Sequence, residues 1–110
     1  MVQYSSVLDR TFSALADPHR RQILDRLGTG PVSVSDLAAP LRMSLPGVLK
    51  HVRTLEDAHL VETTKEGRTR WCQLRRRPLD DAARWIDQRR DRWDGRLDRF
   101  ARHVEATKAT

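Results

Sequence analysis

The segment MSLPGVLKHVRTLEDAHLV, residues 43–61, has the spacing of a helix but carries a proline and a glycine near its start. With about 100° of rotation per residue, its apolar side chains fall in one narrow stripe. That stripe consists of Leu45, Val48, Val52 and Leu55. The opposite side carries Gly47, Lys50 and Thr54, with His51 beside them. One side of this helix therefore suits a protein core, and the other suits contact with a partner.

A shorter helix precedes this one with almost no linker. Ser33 or Ser35 can cap it, and its apolar residues are Leu37, Ala38 and Leu41. Only two residues then separate its end from Ser44, the predicted N-cap of the next helix. Two short helices joined so tightly must cross steeply, which is the geometry of a helix-turn-helix. Pro46 fits there because a first-turn N–H has no intrahelical acceptor, and we interpret Gly47 as allowing a partner to approach closely.

Two further helices are predicted upstream. The first spans residues 5–16, with Ser5 and Ser6 as possible caps and one stripe formed by Leu8, Phe12 and Leu15. The second begins with Asp17 as a cap and Pro18 at its first position, and it ends near Leu27, where Gly28 stops it. Its inward residues are predicted to be Ile23, Leu24 and Leu27.

After Leu60 the apolar period changes from helical to alternating, through LVETTK, Glu66-Gly67 and RTRWCQL. This pattern predicts a β-hairpin with a tight turn at Gly67. Cys72 and Leu74 should face inward, and the cations near the tip are Lys65, Arg68 and Arg70. A helix-turn-helix followed by a basic hairpin predicts a winged helix, mainly α with a small β-hairpin.

The last predicted element is a long helix over residues 78–107, opened by Pro78. Its apolar residues recur at steps of four and three, interrupted only by Arg90: Leu79, Ala83, Ile86, Trp93, Leu97, Phe100 and Val104. A repeat near 3.5 residues over almost four heptads is typical of a helix that packs against another helix. We therefore expect this helix to be the dimerisation element of one domain that spans residues 1–110.

Composition narrows the class of protein. The 110 residues are 38% hydrophobic and 33% charged, without an apolar run that approaches the roughly 20 residues of a membrane span. The N-terminus lacks a secretory signal pattern, so we expect a cytoplasmic protein. The net charge is +6; residues 1–77 hold 13 basic and 8 acidic side chains, which favours a polyanionic partner such as nucleic acid. No spacing suggests a nucleophile with its base, a carboxylate pair or a phosphate loop, so an enzyme is not expected.

Taken together, ALADPHRRQIL (residues 14–24), residues 43–61 and GRTRWCQL (residues 67–74) resemble the ArsR/SmtB type of bacterial winged-helix transcriptional regulator. The resemblance covers residues 8–76. It implies a homodimer joined through its first and last helices. It also implies recognition helices in successive major grooves of a palindromic operator in double-stranded DNA, and repression until a signal releases it.

Two metal sites of that family lack their ligands here. In PVSVSDL, residues 31–37, Ser33 and Ser35 stand where the family has two cysteines, and hydroxyls do not replace thiolates for a soft metal. The last helix holds no Asp-x-His, and His103 is followed three residues later by Ala106. We therefore expect no metal, no cofactor and no metal sensing of these two types. Two other departures are Leu49, where the family usually has serine or threonine, and His59, where it usually has glycine.

These patterns yield two sets of candidate residues. The predicted DNA-binding residues are Arg42, Ser44, Pro46, Gly47, Lys50, His51, Thr54, Arg68 and Arg70. The predicted dimer interface consists of Leu8, Phe12, Leu79, Ile86, Trp93, Leu97, Phe100 and Val104.

Several alternatives stay open at this point. Arg20 and Arg21 either contact phosphate or form ion pairs with Asp17 or Asp25, and Arg70 either contacts DNA or pairs internally. We interpret His19 and His103 as surface histidines. Cys72 is a core residue in our interpretation, because a redox-sensing thiol needs exposure and a lowered pKa. For the whole protein, the alternative to a dimeric repressor is a winged-helix module that binds other proteins. The inducing signal, including a small molecule, is open.

Overall fold

The computed structural model describes residues 2–109, apart from the side chains of residues 2–5 and 109. Five helices and three strands follow one another along the chain: α1 (Val2–Leu15), α2 (Pro18–Leu27), β1 (Val32–Ser33), α3 (Val34–Leu41), α4 (Leu45–Asp57), β2 (Val61–Glu66), β3 (Thr69–Leu74) and α5 (Arg77–Ala109). The strands form one antiparallel sheet in the order β1-β3-β2. This arrangement confirms the predicted winged helix.

Three helices begin at the side-chain caps that the sequence indicates. The Asp17 carboxylate accepts the backbone N–H groups of His19 and Arg20 at 2.8 and 3.3 Å. The hydroxyl of Ser33, rather than that of Ser35, caps α3, and the Ser44 hydroxyl accepts the N–H of Gly47 at 3.3 Å. Each cap satisfies a donor that the helix itself leaves unpaired, which fixes where the chain turns into α2, α3 and α4.

The predicted start of α1 was wrong. The helix begins at Val2, so Ser6 lies within it; the side chain of Ser5, the other proposed cap, is outside the described residues. No glycine or proline precedes Ser5 to stop the helix from extending. Among the described side chains of α1, Thr11 and Ala14 are buried besides Leu8, and Thr11 is accommodated because its hydroxyl donates to the Val7 carbonyl at 3.1 Å. Phe12 lies 37% exposed on another side of the helix.

The core lies between α2, α3, α4 and the sheet. Its largest fully buried side chains include Ile23, Leu37, Val48, Val52, Leu55, Leu60 and Cys72. Leu45 was also predicted to face the core, but it is 45% exposed. It is the first residue of α4, and the buried part of the stripe begins a turn later, at Val48.

The wing is the hairpin of β2 and β3, and its turn is where the sequence indicates. Gly67 has a φ of +64°, a conformation that glycine adopts without strain. Cys72 is buried and Leu74 is half-buried, as predicted. The sequence analysis did not find β1, whose residues Val32 and Ser33 pair with Cys72 and Trp71. Two residues are too short for an alternating pattern to show.

The C-terminal helix α5 extends well beyond the rest of the protein. It contains 33 residues, about 50 Å of helix, and the whole chain measures 75 × 32 × 21 Å. Near its start it packs against α1, where the rings of Phe12 and Trp85 meet edge to face with centroids 5.8 Å apart. Ala82, which is not part of the predicted stripe, is buried there, whereas Ala83 of the stripe is exposed; packing onto α1 selects a different side of the helix.

Farther along α5, four large apolar side chains remain exposed by 41–65%: Ile86, Trp93, Leu97 and Phe100. Leu79 and Val104, at the two ends of the predicted stripe, are half-buried. We call the four exposed residues the α5 seam. Within residues 2–109, no helix combines the length and the apolar character needed to cross a bilayer.

The difference in burial between Leu55 and Leu45 predicts a measurable difference in their contributions to stability. Leu55 is fully buried, so Leu55→Ala should reduce the free energy of unfolding by about 2 to 5 kcal/mol. Leu45→Ala removes the same atoms from a 45% exposed position and should cost less than about 1 kcal/mol. Urea titrations followed by circular dichroism, all at one protein concentration, measure both values. Equal losses for the two variants would contradict this account of how α4 is buried.

Candidate nucleic-acid interface

The predicted DNA-binding residues lie on three parts of the structure: the α3–α4 turn, the outward side of α4 and the wing. Six of them are exposed: Arg42, Ser44, Pro46, Lys50, Arg68 and Arg70. The other three are half-buried: Gly47, His51 and Thr54. We call these nine residues the recognition surface.

The α3–α4 turn brings an arginine to the start of α4. Arg42 ends α3 in the left-handed conformation, with a φ of 54°, and its backbone N–H donates to the Ala39 carbonyl. This conformation costs a residue other than glycine about 1 kcal/mol or more. The exposed guanidinium of Arg42 and the N-terminus of α4 therefore belong to one surface, and both favour an anion.

Gly47 has a role inside the chain. A Cβ at this position would lie 3.1 Å from the Met43 Cε atom and 3.3 Å from the Ser44 Oγ atom. Both distances are tighter than an ordinary van der Waals contact. The missing side chain therefore serves the packing of the α3–α4 turn, a reason that the sequence analysis did not consider.

The basic side chains of the recognition surface differ in whether they have a partner within the chain. Among the described residues, the side chains of Arg42, Lys50 and Arg68 form no hydrogen bond or ion pair. Arg70 instead donates to the Thr63 hydroxyl at 3.2 Å, and Thr63 donates to the Glu56 carboxylate at 2.7 Å. Arg70 therefore pairs within the chain, one of the two alternatives that the sequence left open. The other three cations, which are unpaired among the described residues, are available to an anionic partner.

Two polar residues of α4 have partners within the chain. The Thr54 hydroxyl donates to the Lys50 carbonyl at 3.2 Å. Nδ1 of His51 lies 3.4 Å from Nη1 of Arg20, and the His51 ring lies 5.6 Å from the ring of His19. Partial burial lowers the pKa of His51, and the neighbouring cations act in the same direction against the Asp17 carboxylate. The lowered pKa favours the neutral form of the His51 ring, which lies against the start of α2.

Arg20 and Arg21 cap the end of α1, an arrangement that the sequence analysis did not consider. Nε and Nη2 of Arg20 donate to the carbonyls of Ala14 and Ser13 at 2.8 and 3.0 Å. Nη1 of Arg21 donates to the Leu15 carbonyl at 2.7 Å. The sequence could have indicated this capping, because arginines just beyond a helix end often bind its unpaired carbonyls.

A cluster of three polar side chains lies where α2 begins beside α4. Asp17, His19 and His51 each place one potential metal-ligand atom within 4.8 Å of the other two. Burial raises the pKa of Asp17, but the N–H groups of Arg20 and His19 and nearby positive charge hold it below its ordinary value. Sequence spacing could reveal Asp17 and His19 as a pair, but not their proximity to His51. His19 lies at the surface, as predicted, with 44% of its side chain exposed, and it is also part of this cluster.

Cys72 lies in the core. Its side chain is fully buried, and burial, together with the Glu56 charge, raises its pKa to about 11 against the opposite effect of Arg70. A thiol in this environment stays protonated and inaccessible at neutral pH. This supports its interpretation as a packing residue.

The fold and this surface define a winged helix-turn-helix of the kind that binds DNA. Comparison with known proteins supports the same class of protein. The family described as "Helix-turn-helix domain" matches residues 15–64. The arsenical resistance operon repressor of Staphylococcus aureus is 36% identical over 74 residues, which cover 67% of this chain and 71% of that protein.

An HTH-type transcriptional regulator of Mycobacterium tuberculosis is 44% identical over 66 residues, 60% of this chain and 62% of that regulator. The match thus spans less than two thirds of the mycobacterial regulator's length.

Solved structures show the same relationship. The crystal structure of an ArsR family transcriptional regulator superposes with a TM-score of 0.79 at 41% identity, covering 86% of this chain and 97% of that one. A homodimeric winged helix-turn-helix DNA-binding domain from Mycobacterium bovis superposes with a TM-score of 0.65 at 27% identity, covering 87% and 86% of the two chains. The chain belongs to the ArsR family of winged-helix transcriptional regulators, whose members are DNA-binding proteins and not enzymes.

The environment of Cys72 predicts low thiol reactivity. Raising its pKa from 9.0 to about 11 reduces the thiolate fraction at pH 8 by about 100-fold, and burial also excludes the reagent. The native protein should therefore react with a thiol-specific disulfide reagent at least about tenfold more slowly than the urea-unfolded chain. Absorbance of the released thiolate at pH 8 follows both reactions. Equal rates would place Cys72 at an accessible site.

Proposed function

We propose that this protein is a dimeric, sequence-specific DNA-binding repressor of its own or neighbouring genes. The observation that carries the proposal is the recognition surface, on which Arg42, Lys50 and Arg68 are exposed cations without an internal partner among the described residues. They lie at the start of α4, along α4 and at the wing tip. A surface of this charge and shape suits a groove and the phosphates at its edges. Such a repressor would act in the cytoplasm.

In this proposal α4 of each protomer lies in a major groove. Lys50 contacts phosphate or base edges from α4, and Arg68 reaches the adjacent minor groove or its backbone, since guanidinium groups suit a narrow minor groove. Ser44 and Arg42 hold phosphate at the start of α4. His51 and Thr54 remain predicted contacts. With Nδ1 of His51 accepting from Arg20, its Nε2–H can still donate, and the Thr54 hydroxyl, which donates to the Lys50 carbonyl, can still accept.

We propose that a second copy of the chain covers the α5 seam. Four large apolar side chains exposed in a row on one helix are typical of an interface. The homodimeric neighbour from Mycobacterium bovis supports the same assembly. Phe12, which is partly exposed beside Trp85, extends the apolar surface onto α1, whereas Leu8 is already buried within its own chain and adds little. Two-fold symmetry then places two half-sites about one helical turn apart, roughly 10 to 10.5 base pairs, on a palindromic operator.

We also propose that the protein does not sense metals through the two sites considered above. The hydroxyl of Ser33 is engaged as the cap of α3, and Ser35 is exposed. Neither hydroxyl provides a soft thiolate ligand. A small-molecule inducer is compatible with the proposal.

The role of Lys50 can be tested with a neutral substitution. Lys50→Ala should weaken binding to a DNA duplex obtained by in vitro selection by about tenfold at low salt, because it removes a charged phosphate contact. The slope of log affinity against log salt should also decrease by about 1 per lost contact. Fluorescence anisotropy measures both quantities.

The matched control for Lys50→Ala is Lys108→Ala, which removes the same charge from the far end of α5 and should leave the affinity within about twofold of the parent. Equal effects of the two substitutions would contradict a specific role for α4 in DNA binding. A parent protein that fails to bind duplex DNA at low salt would favour the protein-binding module instead.

The α5 seam predicts the oligomeric state. Phe100→Asp places a charge in the seam and should convert a dimer into a monomer, as measured by sedimentation equilibrium. Ala106→Asp makes the same change in charge on the other side of α5 and should leave the dimer intact. A monomeric parent protein, or equal dissociation of both variants, would contradict this assignment of the interface.

A further inference from the structure

We infer that Asp17, His19 and His51 form a binding site for a divalent transition-metal ion such as Zn²⁺ or Co²⁺. The site lies where the start of α2 meets α4, and its three residues belong to neither α3 nor α5. It is independent of the two family sites whose ligands this chain lacks.

The geometry brings three suitable donors together. The potential ligand atoms lie within 4.8 Å of one another, and Nδ1 of His19 is 3.6 Å from Oδ1 of Asp17. All three residues are half-buried. Two imidazoles and one carboxylate suit borderline metals such as Zn²⁺, and three protein ligands leave a fourth position for water. Tetrahedral bonds near 2.0 Å separate ligand atoms by roughly 3.3 Å, so small rotations of partly exposed side chains must close the cluster.

The Asp17 carboxylate can cap α2 and still bind an ion. Its Oδ1 atom accepts the two backbone N–H groups that start the helix. Its Oδ2 atom has a looser contact, with Nη1 of Arg20 at 3.9 Å. A metal at Oδ2 would therefore leave the helix cap in place. Asp17→Asn is then an informative substitution, because asparagine caps a helix as well as aspartate does but lacks the carboxylate.

Arg20 competes with the ion for His51. A neutral imidazole has one ring nitrogen that can accept, and in this structure Nη1 of Arg20 points to Nδ1 of His51. Ion binding must break this contact, whichever ring nitrogen ligates. The rest of the Arg20 side chain is anchored to the α1 carbonyls through Nε and Nη2, so the exchange affects only the contacts of Nη1 with His51 and with Oδ2 of Asp17. The guanidinium charge also opposes a second cation, which favours a site of moderate affinity.

Ion binding has a consequence for α4, and this consequence rests on the proposed function. His51 is the one ligand on α4, and the other two belong to the start of α2. A metal-bound His51 ring cannot turn outward towards DNA. We therefore expect the ion to weaken operator binding, and by linkage the operator should weaken ion binding by the same factor.

The binding site is tested without DNA. The purified full-length chain, freed of metal by a chelator, is titrated with Zn²⁺ by calorimetry and with Co²⁺ by visible absorption. We expect one ion per chain and a tetrahedral Co²⁺ spectrum. His19→Gln, His51→Gln and Asp17→Asn should each reduce affinity at least about tenfold. His59→Gln and His103→Gln, which alter exposed histidines outside the cluster, should bind like the parent.

The outcomes separate the ion site from the proposed function. No ion binding by the parent, or equal loss in the His59 and His103 variants, would overturn the site. The effect of the bound ion on the affinity of the protein for DNA is then measured by fluorescence anisotropy with and without Zn²⁺. A weaker complex that recovers on adding chelator supports the regulatory consequence, and unchanged affinity overturns it. If the protein fails to bind DNA in the absence of metal, this result would count against the proposed function. The conclusion about the ion site would not change, because the ion titrations are done without DNA.

Discussion

The burial of one stripe of α4 against α2, α3 and the sheet is the constraint on which the rest of the structure depends. Val48, Val52 and Leu55 have almost no exposed surface, and burying side chains of this size contributes about 1.5 to 3 kcal/mol each. Rotating α4 about its axis would expose them. The same packing therefore decides which residues face outward, and it holds Lys50 on the exposed side of the helix, although the Lys50 side chain forms no hydrogen bond or ion pair with the described residues. The core positions the recognition surface.

Features set by neighbouring residues were predictable from the sequence. Asp17, Ser33 and Ser44 act within three residues of themselves, and Gly67 occupies a turn that needs a positive φ. The features that failed depend on distant parts of the chain. The pairing of Val32 and Ser33 with β3 requires a strand some 40 residues later. The burial of Ala82, which the predicted stripe does not include, depends on how α1 meets α5, and the spacing of apolar residues within α5 does not reveal this contact.

The candidate site was predictable to the same extent. Its residues are on the surface because a helical period with one apolar face leaves the opposite face outside. Their partners were not predictable, because Arg20 and His51 are 31 residues apart and meet only when α2 and α4 pack together. Gly47 illustrates the same limit. Its sequence position suggests room for a partner, whereas the contact distances show that Met43 and Ser44 already fill much of that room.

The junction of α1, α2 and α4 links parts of the molecule that the proposed function requires to act together. Arg20 binds two carbonyls at the end of α1, lies beside the cap of α2 and contacts His51 on α4. Because α1 also packs on the start of α5, a shift of α4 at this junction reaches the proposed dimerisation helix through one continuous set of contacts. In the proposed dimer the spacing of the two recognition helices depends on α5, so these contacts connect His51 with the proposed dimer interface.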